Sequence, residues 1–246
     1  MTLPITPPDR TPLDPATAVL SVLIPVYNEQ NTLALILDRV HAVPVRKQVI
    51  CVNDCSTDSS REVLEREHAA GRIDVLIHHE RNRGKGAAIR TALAASTGDV
   101  IIVQDADLEY DPQDWPSVLA PILDGRADAS FGSRFLGGRA HRVLYFWHSV
   151  GNRVLTLFSN MMTNLNLTDM ETCYKAIRGD IARGLSLESD RFGFEPEVTA
   201  RLAQSGARIY EVPISYSGRT YAEGKKIGWR DGVAAIRHIL YYNLVK

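Results

Sequence analysis

VLSVLIPVYNEQNTLALILDRV at residues 19–40, followed by QVICVNDCSTD at 48–58, holds the pattern on which the fold turns. Val19–Val26 is an apolar, β-rich run closed by Pro25 and Asn28, after which Leu33, Ile36, Leu37 and Val40 recur at the spacing of one helix face. Gln48–Val52 is again a short apolar strand, and the residues after it predict a helix over Thr57–Ala70 with Ser56 or Thr57 as its cap. The unit returns as a strand over Ile73–Ile77 with an Ala-rich helix over Gly84–Ser96, and Val100–Val103 makes a fourth strand. Strands alternating with helices at this interval predict right-handed crossovers and an α/β fold: a mainly parallel central sheet, helices on both faces, and ligands beyond the carboxyl ends of the strands.

After Asp105 the alternation loosens. The spacing predicts a helix over Pro112–Leu123, a strand over Ala127–Gly132, a Gly- and Arg-rich segment from Gly132 to Arg142, and a long aromatic helix over Val143–Leu167. A strand near Cys173–Ile177, a helix over Glu195–Gln204, a strand over Arg208–Tyr216 and a helix from Trp229 onward complete the reading. With 246 residues and no dividing linker, 18–246 is expected to be one domain, with a nucleotide-binding half at 18–111 and an acceptor half at 112–246. Residues 1–17 carry five prolines and no apolar run, which reads as a disordered leader.

The formal net charge of -1 argues against nucleic acid as a main partner. Three cysteines at no zinc spacing fit a reducing compartment, and no run approaches the roughly 18 to 20 apolar residues of a membrane span. A cytoplasmic location is expected, with any membrane contact peripheral. Two helices raise that contact: the one holding Tyr145, Phe146, Trp147, Phe158, Met161 and Met162, and the C-terminal one. An apolar stripe there reads either as core or as an interfacial surface.

Chemistry concentrates at the strand ends. Asp105-Ala106-Asp107 follows the fourth strand directly, and two carboxylates at i and i+2 can converge on a hard divalent cation, Mg²⁺ or Mn²⁺, that also grips a diphosphate. The same acids could instead solvate a strand end or cap a helix, and Glu109 could join the shell. The first strand ends in Pro25-Val26-Tyr27-Asn28-Glu29, the second in Asn53-Asp54-Cys55-Ser56-Thr57-Asp58. A third segment, Asn82-Arg83-Gly84-Lys85-Gly86-Ala87, opens a helix where free N–H groups, the dipole and two cations favour an anion. Each has a structural reading as cap or turn; together they favour a nucleotide pocket.

In the order PVYNE, VNDCSTD, NRGKGAA, DADLEYDP and GSRF, these motifs resemble the family 2 glycosyltransferases of the GT-A fold, a Rossmann-like nucleotide-diphospho-sugar transferase architecture, and most of all the dolichyl- and polyprenyl-phosphate sugar transferases. The resemblance runs from Val19 to the C-terminal helix. It implies a hexosyltransferase using a nucleoside-diphosphate sugar, UDP-glucose before GDP-mannose, with inversion and with polyprenyl phosphate as acceptor. It also implies roles. Pro25, Tyr27 and Glu29 would line the nucleoside pocket and Asp54 would meet the base. Arg83 or Lys85 would lie near base or phosphate, Asp105 and Ala106 at the donor, and Asp105 and Asp107 on the metal. Asn53 and Cys55 depart from the Asp and Gly common at those places.

No Glu-Asp base pair and no Gln-x-x-Arg-Trp string is present. A phosphate acceptor, with a second pKa of about 6, needs no base but needs cations. The candidates are Arg134, Arg139, Arg142, Arg153, Arg219, Lys225 and Lys226, with Arg134, Arg219 and Lys226 preferred. A hydroxyl acceptor on a glycan or small molecule would call for a base, for which Asp169 is the first choice and Glu171 its neighbour. A noncatalytic nucleotide-sugar-binding protein is the remaining reading.

Overall fold

Four consecutive strands form the first part of the sheet: β1 (Leu20–Val26), β2 (Lys47–Asn53), β3 (Val75–His78) and β4 (Val100–Val103). β1 lies between β2 and β4, and β3 flanks β2, all in parallel register. The crossovers are α1 (Leu33–Ala42), α2 (Ser60–Ala69) and α3 (Lys85–Ala94). β1 and β4 read as continuous apolar runs because helices cover both faces of the sheet and bury nearly every position. The computed structural model describes residues 10–143, 145–191, 193–220 and 229–245, with side chains undescribed over 229–231. Lys225 and Lys226 lie outside that set.

The remaining elements are a 3₁₀ turn (Pro112–Asp114), α4 (Trp115–Leu123), β5 (Ala129–Ser133), α5 (Phe146–Thr163), β6 (Lys175–Arg178), α6 (Gly179–Gly184), α7 (Phe194–Gln204), β7 (Ile209–Pro213) and α8 (Trp229–Leu244). The sheet order is β3-β2-β1-β4-β6-β5-β7. β6 runs antiparallel between β4 and β5, so the expected nucleotide and acceptor halves share one sheet. Trp115, Tyr174 and Phe131 fill the core around that junction.

Three details depart from the sequence reading. α2 begins at Ser60, not Thr57, because the preceding residues are tied to the end of β1: Ser56 Oγ accepts the Asn28 N–H at 3.1 Å, and the Thr57 N–H donates to Asn28 Oδ1 at 2.8 Å. α5 is shorter than expected and ends at Asn164, whose left-handed backbone (φ 56°) stops the helix. The leader from Arg10 onward is docked, not free. Arg10 Nε donates to Asp128 Oδ1 at 3.1 Å, and the Leu13 N–H donates to the Leu123 carbonyl at 2.8 Å. Individual contacts of this kind leave no periodic trace in a Pro-rich segment.

Candidate active site

The carboxyl ends of β1, β2 and β4 lie side by side, and each is followed by a residue in the left-handed region: Asn28 (φ 55°), Cys55 (φ 59°) and Leu108 (φ 67°). Non-glycine residues adopt this backbone at a cost, and such outliers cluster at functional loops. Cys55 holds a backbone conformation that glycine adopts without steric cost, which gives a physical reason for the Gly that the resemblance implies at this place.

Asp54 is buried and serves as an internal anion. Its Oδ1 accepts the Arg83 N–H (2.8 Å) and its Oδ2 the Gly84 N–H (2.7 Å), while His79 Nδ1 lies 2.7 Å from Oδ1. The donors expected to be free at the start of α3 are therefore partly taken: Asp54 holds two, and the Ala87 N–H donates to the Asp190 carbonyl. Asp54 shapes the loop that carries Arg83 and Lys85 and does not present an open carboxylate. Arg83, Tyr27 and the rim of this region are exposed, Pro25 is half-buried, and Ala106 is buried beneath it.

Glycines let α3 approach the 189–191 segment. A Cβ at Gly86 would stand 2.2 Å from the Ser189 carbonyl oxygen, and one at Gly84 2.3 Å from that of Asp190. Gly86→Ala is expected to lower the free energy of unfolding by about 1–3 kcal/mol. Gly151→Ala, in α5 with no atom within 4 Å of its Cβ, should raise it by about 0.5–1 kcal/mol. Urea titration of the two variants checks the contrast.

The acidic cluster is dense. Lys85 Nζ lies 2.9 Å from Asp105 Oδ1 and 3.2 Å from Glu195 Oε1. Burial alone would lower the Lys85 pKa, but Asp105 and Glu195 outweigh it and hold the ammonium charged. Arg219 reaches Asp107 Oδ2 at 2.9 Å and Glu29 Oε1 at 3.3 Å, with its Nε 3.5 Å from Glu109 Oε1. Glu109 also accepts the Tyr216 hydroxyl at 2.6 Å. Burial, then Asp105 and Glu109, push the Asp107 carboxyl up to about 7, even with Arg219 beside it. Negative charge is thus in excess where the two motif aspartates meet, and hard oxygen donors next to uncompensated charge fit a divalent cation. Among the described residues no group of three His, Cys, Asp or Glu side chains is arranged to hold a metal ion by itself.

The residues expected on the acceptor side differ most from the sequence reading. Arg134 and Asp169, chosen as phosphate clamp and as base, pair with each other. Arg134 Nε donates to Asp169 Oδ2 at 2.6 Å and Nη2 to Oδ1 at 2.7 Å, and Asn152 Nδ2 adds a bond to Oδ1 at 3.1 Å. Asp169 is fully buried; burial favours its neutral form, but Arg134 and these hydrogen bonds hold it below the usual carboxylate range. It is a poor base. The Nε–Nη2 edge of the Arg134 guanidinium is committed to Asp169, and the guanidinium lies over the Tyr216 ring at 5.1 Å. Arg219 likewise sits on the acidic cluster instead of waiting for an acceptor. Arg139 donates to Ser117 Oγ at 2.9 Å, Arg142 to the Gly218 carbonyl at 3.0 Å, and Arg153 is exposed.

Several participants escaped the sequence reading. Glu195 had only a helix-start role there, yet it steadies Lys85. Glu211 accepts the Thr168 and Asp169 N–H groups at 2.8 and 3.0 Å and so positions the Asp169 loop. His79 and Asn152 each hold a site carboxylate across a span that no local motif announces.

A Rossmann-like sheet with an Asp-x-Asp carboxylate pair beyond β4 defines a nucleotide-sugar transferase architecture. The chain matches glycosyl transferase family 2 over residues 21–185 and belongs to that family. It is a glycosyltransferase. It is 31% identical to undecaprenyl-phosphate mannosyltransferase of Micrococcus luteus over 87% of this chain and 90% of the relative. Polyprenol monophosphomannose synthase of Mycolicibacterium smegmatis is 27% identical over 87% and 85%. Among solved structures, glucosyl-3-phosphoglycerate synthase from Mycobacterium tuberculosis in complex with Mn²⁺, UDP and glucosyl-3-phosphoglycerate shares the fold. Its TM-score is 0.69 at 19% identity, covering 94% of this chain and 82% of that one.

Proposed function

We propose that the chain transfers a hexose from a nucleoside-diphosphate sugar, UDP-glucose or GDP-mannose, to the phosphate of a polyprenyl or dolichyl phosphate. The observation that carries this is the closed Arg134–Asp169 pair: the carboxylate placed to act as base is bound at both oxygens, and a phosphate nucleophile needs none. The prenyl-phosphate substrates named for the two sequence relatives support the same acceptor.

Asp105 and Asp107 would hold Mg²⁺ or Mn²⁺, either of which supplies, when bound, positive charge against the departing nucleoside diphosphate. The chain's own groups do the rest. Lys85, fixed between Asp105 and Glu195, keeps a cation at the diphosphate end. Asp54 holds the Arg83–Gly84 turn, and Glu29 and Tyr27 border the donor side. Arg134, oriented by Asp169, places a cation beside Tyr216 on the acceptor side. Attack opposite the leaving group would invert the anomeric centre.

A second reading rests on Glu171. Its Oε1 is buried with no hydrogen-bond partner among the described residues, and burial together with Glu195 pushes the carboxyl up to about 7, the range of a general base. It would serve a hydroxyl acceptor carrying a phosphate, in keeping with the phosphoglyceric acid bound in one solved relative. The two separate in one experiment. Purified protein is incubated with Mn²⁺, radiolabelled nucleotide sugars and, in parallel, a short polyprenyl phosphate or 3-phosphoglycerate. Label in the organic phase supports the first reading; label only on the soluble acid, lost in Glu171→Gln, supports the second and refutes the first.

A further inference from the structure

In a helix packed on a domain, large apolar side chains normally face inward and the outer face is polar. α5 is apolar on both sides: Leu155, Phe158 and Met162 pack against the core, while Trp147 (77% exposed), Val154, Leu157 (61%) and Met161 (72%) point outward. Their spacing of seven, three and four places them on one stripe. α8 packs beside α5 and buries Ala235, Ile239 and Tyr242 while exposing Val233, Leu240 and Leu244. Two adjacent helices thus each present an exposed apolar stripe, an arrangement that singly scattered surface hydrophobics do not produce.

The charges around this face select its occupant. α5 carries one charged side chain, the exposed Arg153, and no carboxylate; among the described side chains of α8 the exposed Arg237 is the charged one. Among the described side chains, a second copy related by a two-fold axis would set arginine against arginine. An anionic lipid surface complements them, and Tyr145, Phe146 and Trp147 at the start of α5 are amphipathic or apolar rings of the kind that settle at headgroup depth. No helix among the described residues is long and apolar enough to cross a membrane, so the face would lie on the bilayer.

Its position is tied to the site. Arg142, just before α5, donates to the Gly218 carbonyl next to Arg219, and Asn152 of α5 holds Asp169. The geometry points to the outer face of α5 and α8 as a docking surface for an anionic bilayer, set so that a lipid-borne phosphate enters the site from the membrane plane. This rests on the lipid-phosphate reading of the acceptor.

The test is co-sedimentation of the full chain with phosphatidylcholine vesicles containing about 30% phosphatidylglycerol and no polyprenyl phosphate. Light scattering of the protein alone and transfer to a water-soluble short-chain polyprenyl phosphate run alongside. The wild type should sediment with the vesicles. Leu157→Asp/Met161→Asp should bind at least tenfold more weakly, with unchanged melting temperature and unchanged activity on the soluble acceptor. Wild-type protein that labels polyprenyl phosphate but ignores the vesicles overturns the surface and leaves the function standing. Vesicle binding lost in the variant, without any transfer to polyprenyl phosphate, supports the surface and removes the function. A dimer that the double variant splits, with vesicle binding unaffected, assigns the face to a second copy and overturns the proposal.

Discussion

Asp107→Asn is expected to lower turnover about 10²–10³-fold, the loss typical of removing one preorganised electrostatic contact from a reacting centre. The same change should not destabilise the metal-free protein, which separates a functional carboxylate from a structural one. Asp107 is buried against Asp105 and Glu109, and its carboxyl stands near 7 in place of 3.8. A folded-state pKa above the unfolded one means that the native state holds the proton more tightly. The stability this contributes is complete below pH about 4 and is lost as pH rises through about 7. In EDTA, the melting temperature of Asp107→Asn relative to wild type should therefore be near parity at pH 4 and shift in favour of the variant by pH 7. Scanning calorimetry across that range checks the sign; a variant that loses stability at pH 7 would show that the Arg219 contact outweighs the repulsion.

The opposite behaviour is expected at Asp169. Asp169→Ala should lower the free energy of unfolding by about 3–5 kcal/mol, because Arg134 is then left buried without its counter-charge. Replacing both partners, as Arg134→Met with Asp169→Leu, should recover part of that loss. Since the folded-state pKa of Asp169 lies below the ordinary value, its contribution is present at neutral pH and disappears as pH falls below the usual carboxylate range. Urea titrations of the single and double variants measure the effect. An Asp169→Asn enzyme that keeps its stability while kcat collapses would make Asp169 a base and reopen the hydroxyl acceptor.

The contrast between these two aspartates marks what a sequence can and cannot convey. The place of Asp105 and Asp107 beyond β4 was legible because they follow an apolar run directly, and in a doubly wound sheet the end of such a strand is where ligands bind. The alternation of strands and helices up to Val103 was legible for the same local reason. The antiparallel insertion of β6 between β4 and β5 was not, since strand order in the second half depends on long-range pairing that leaves no periodic mark. Nor were the partners of charged residues. Arg134, Arg219 and Asp54 have the composition of ligand-binding groups, but three-dimensional neighbours 25 to 190 positions away already engage them. A motif reports that a charge is present at a strand end. Whether it faces a ligand or another residue is decided by packing.

Phosphorus NMR of the reaction with a short polyprenyl phosphate, nucleotide sugar and Mg²⁺, which is diamagnetic and leaves the phosphate resonances sharp, tests the central claim most directly, because it reads which oxygen becomes glycosylated. Conversion of the acceptor's phosphomonoester resonance to that of a phosphodiester, in step with release of nucleoside diphosphate, is the result expected. An unchanged monoester signal while sugar accumulates on a hydroxyl would contradict it.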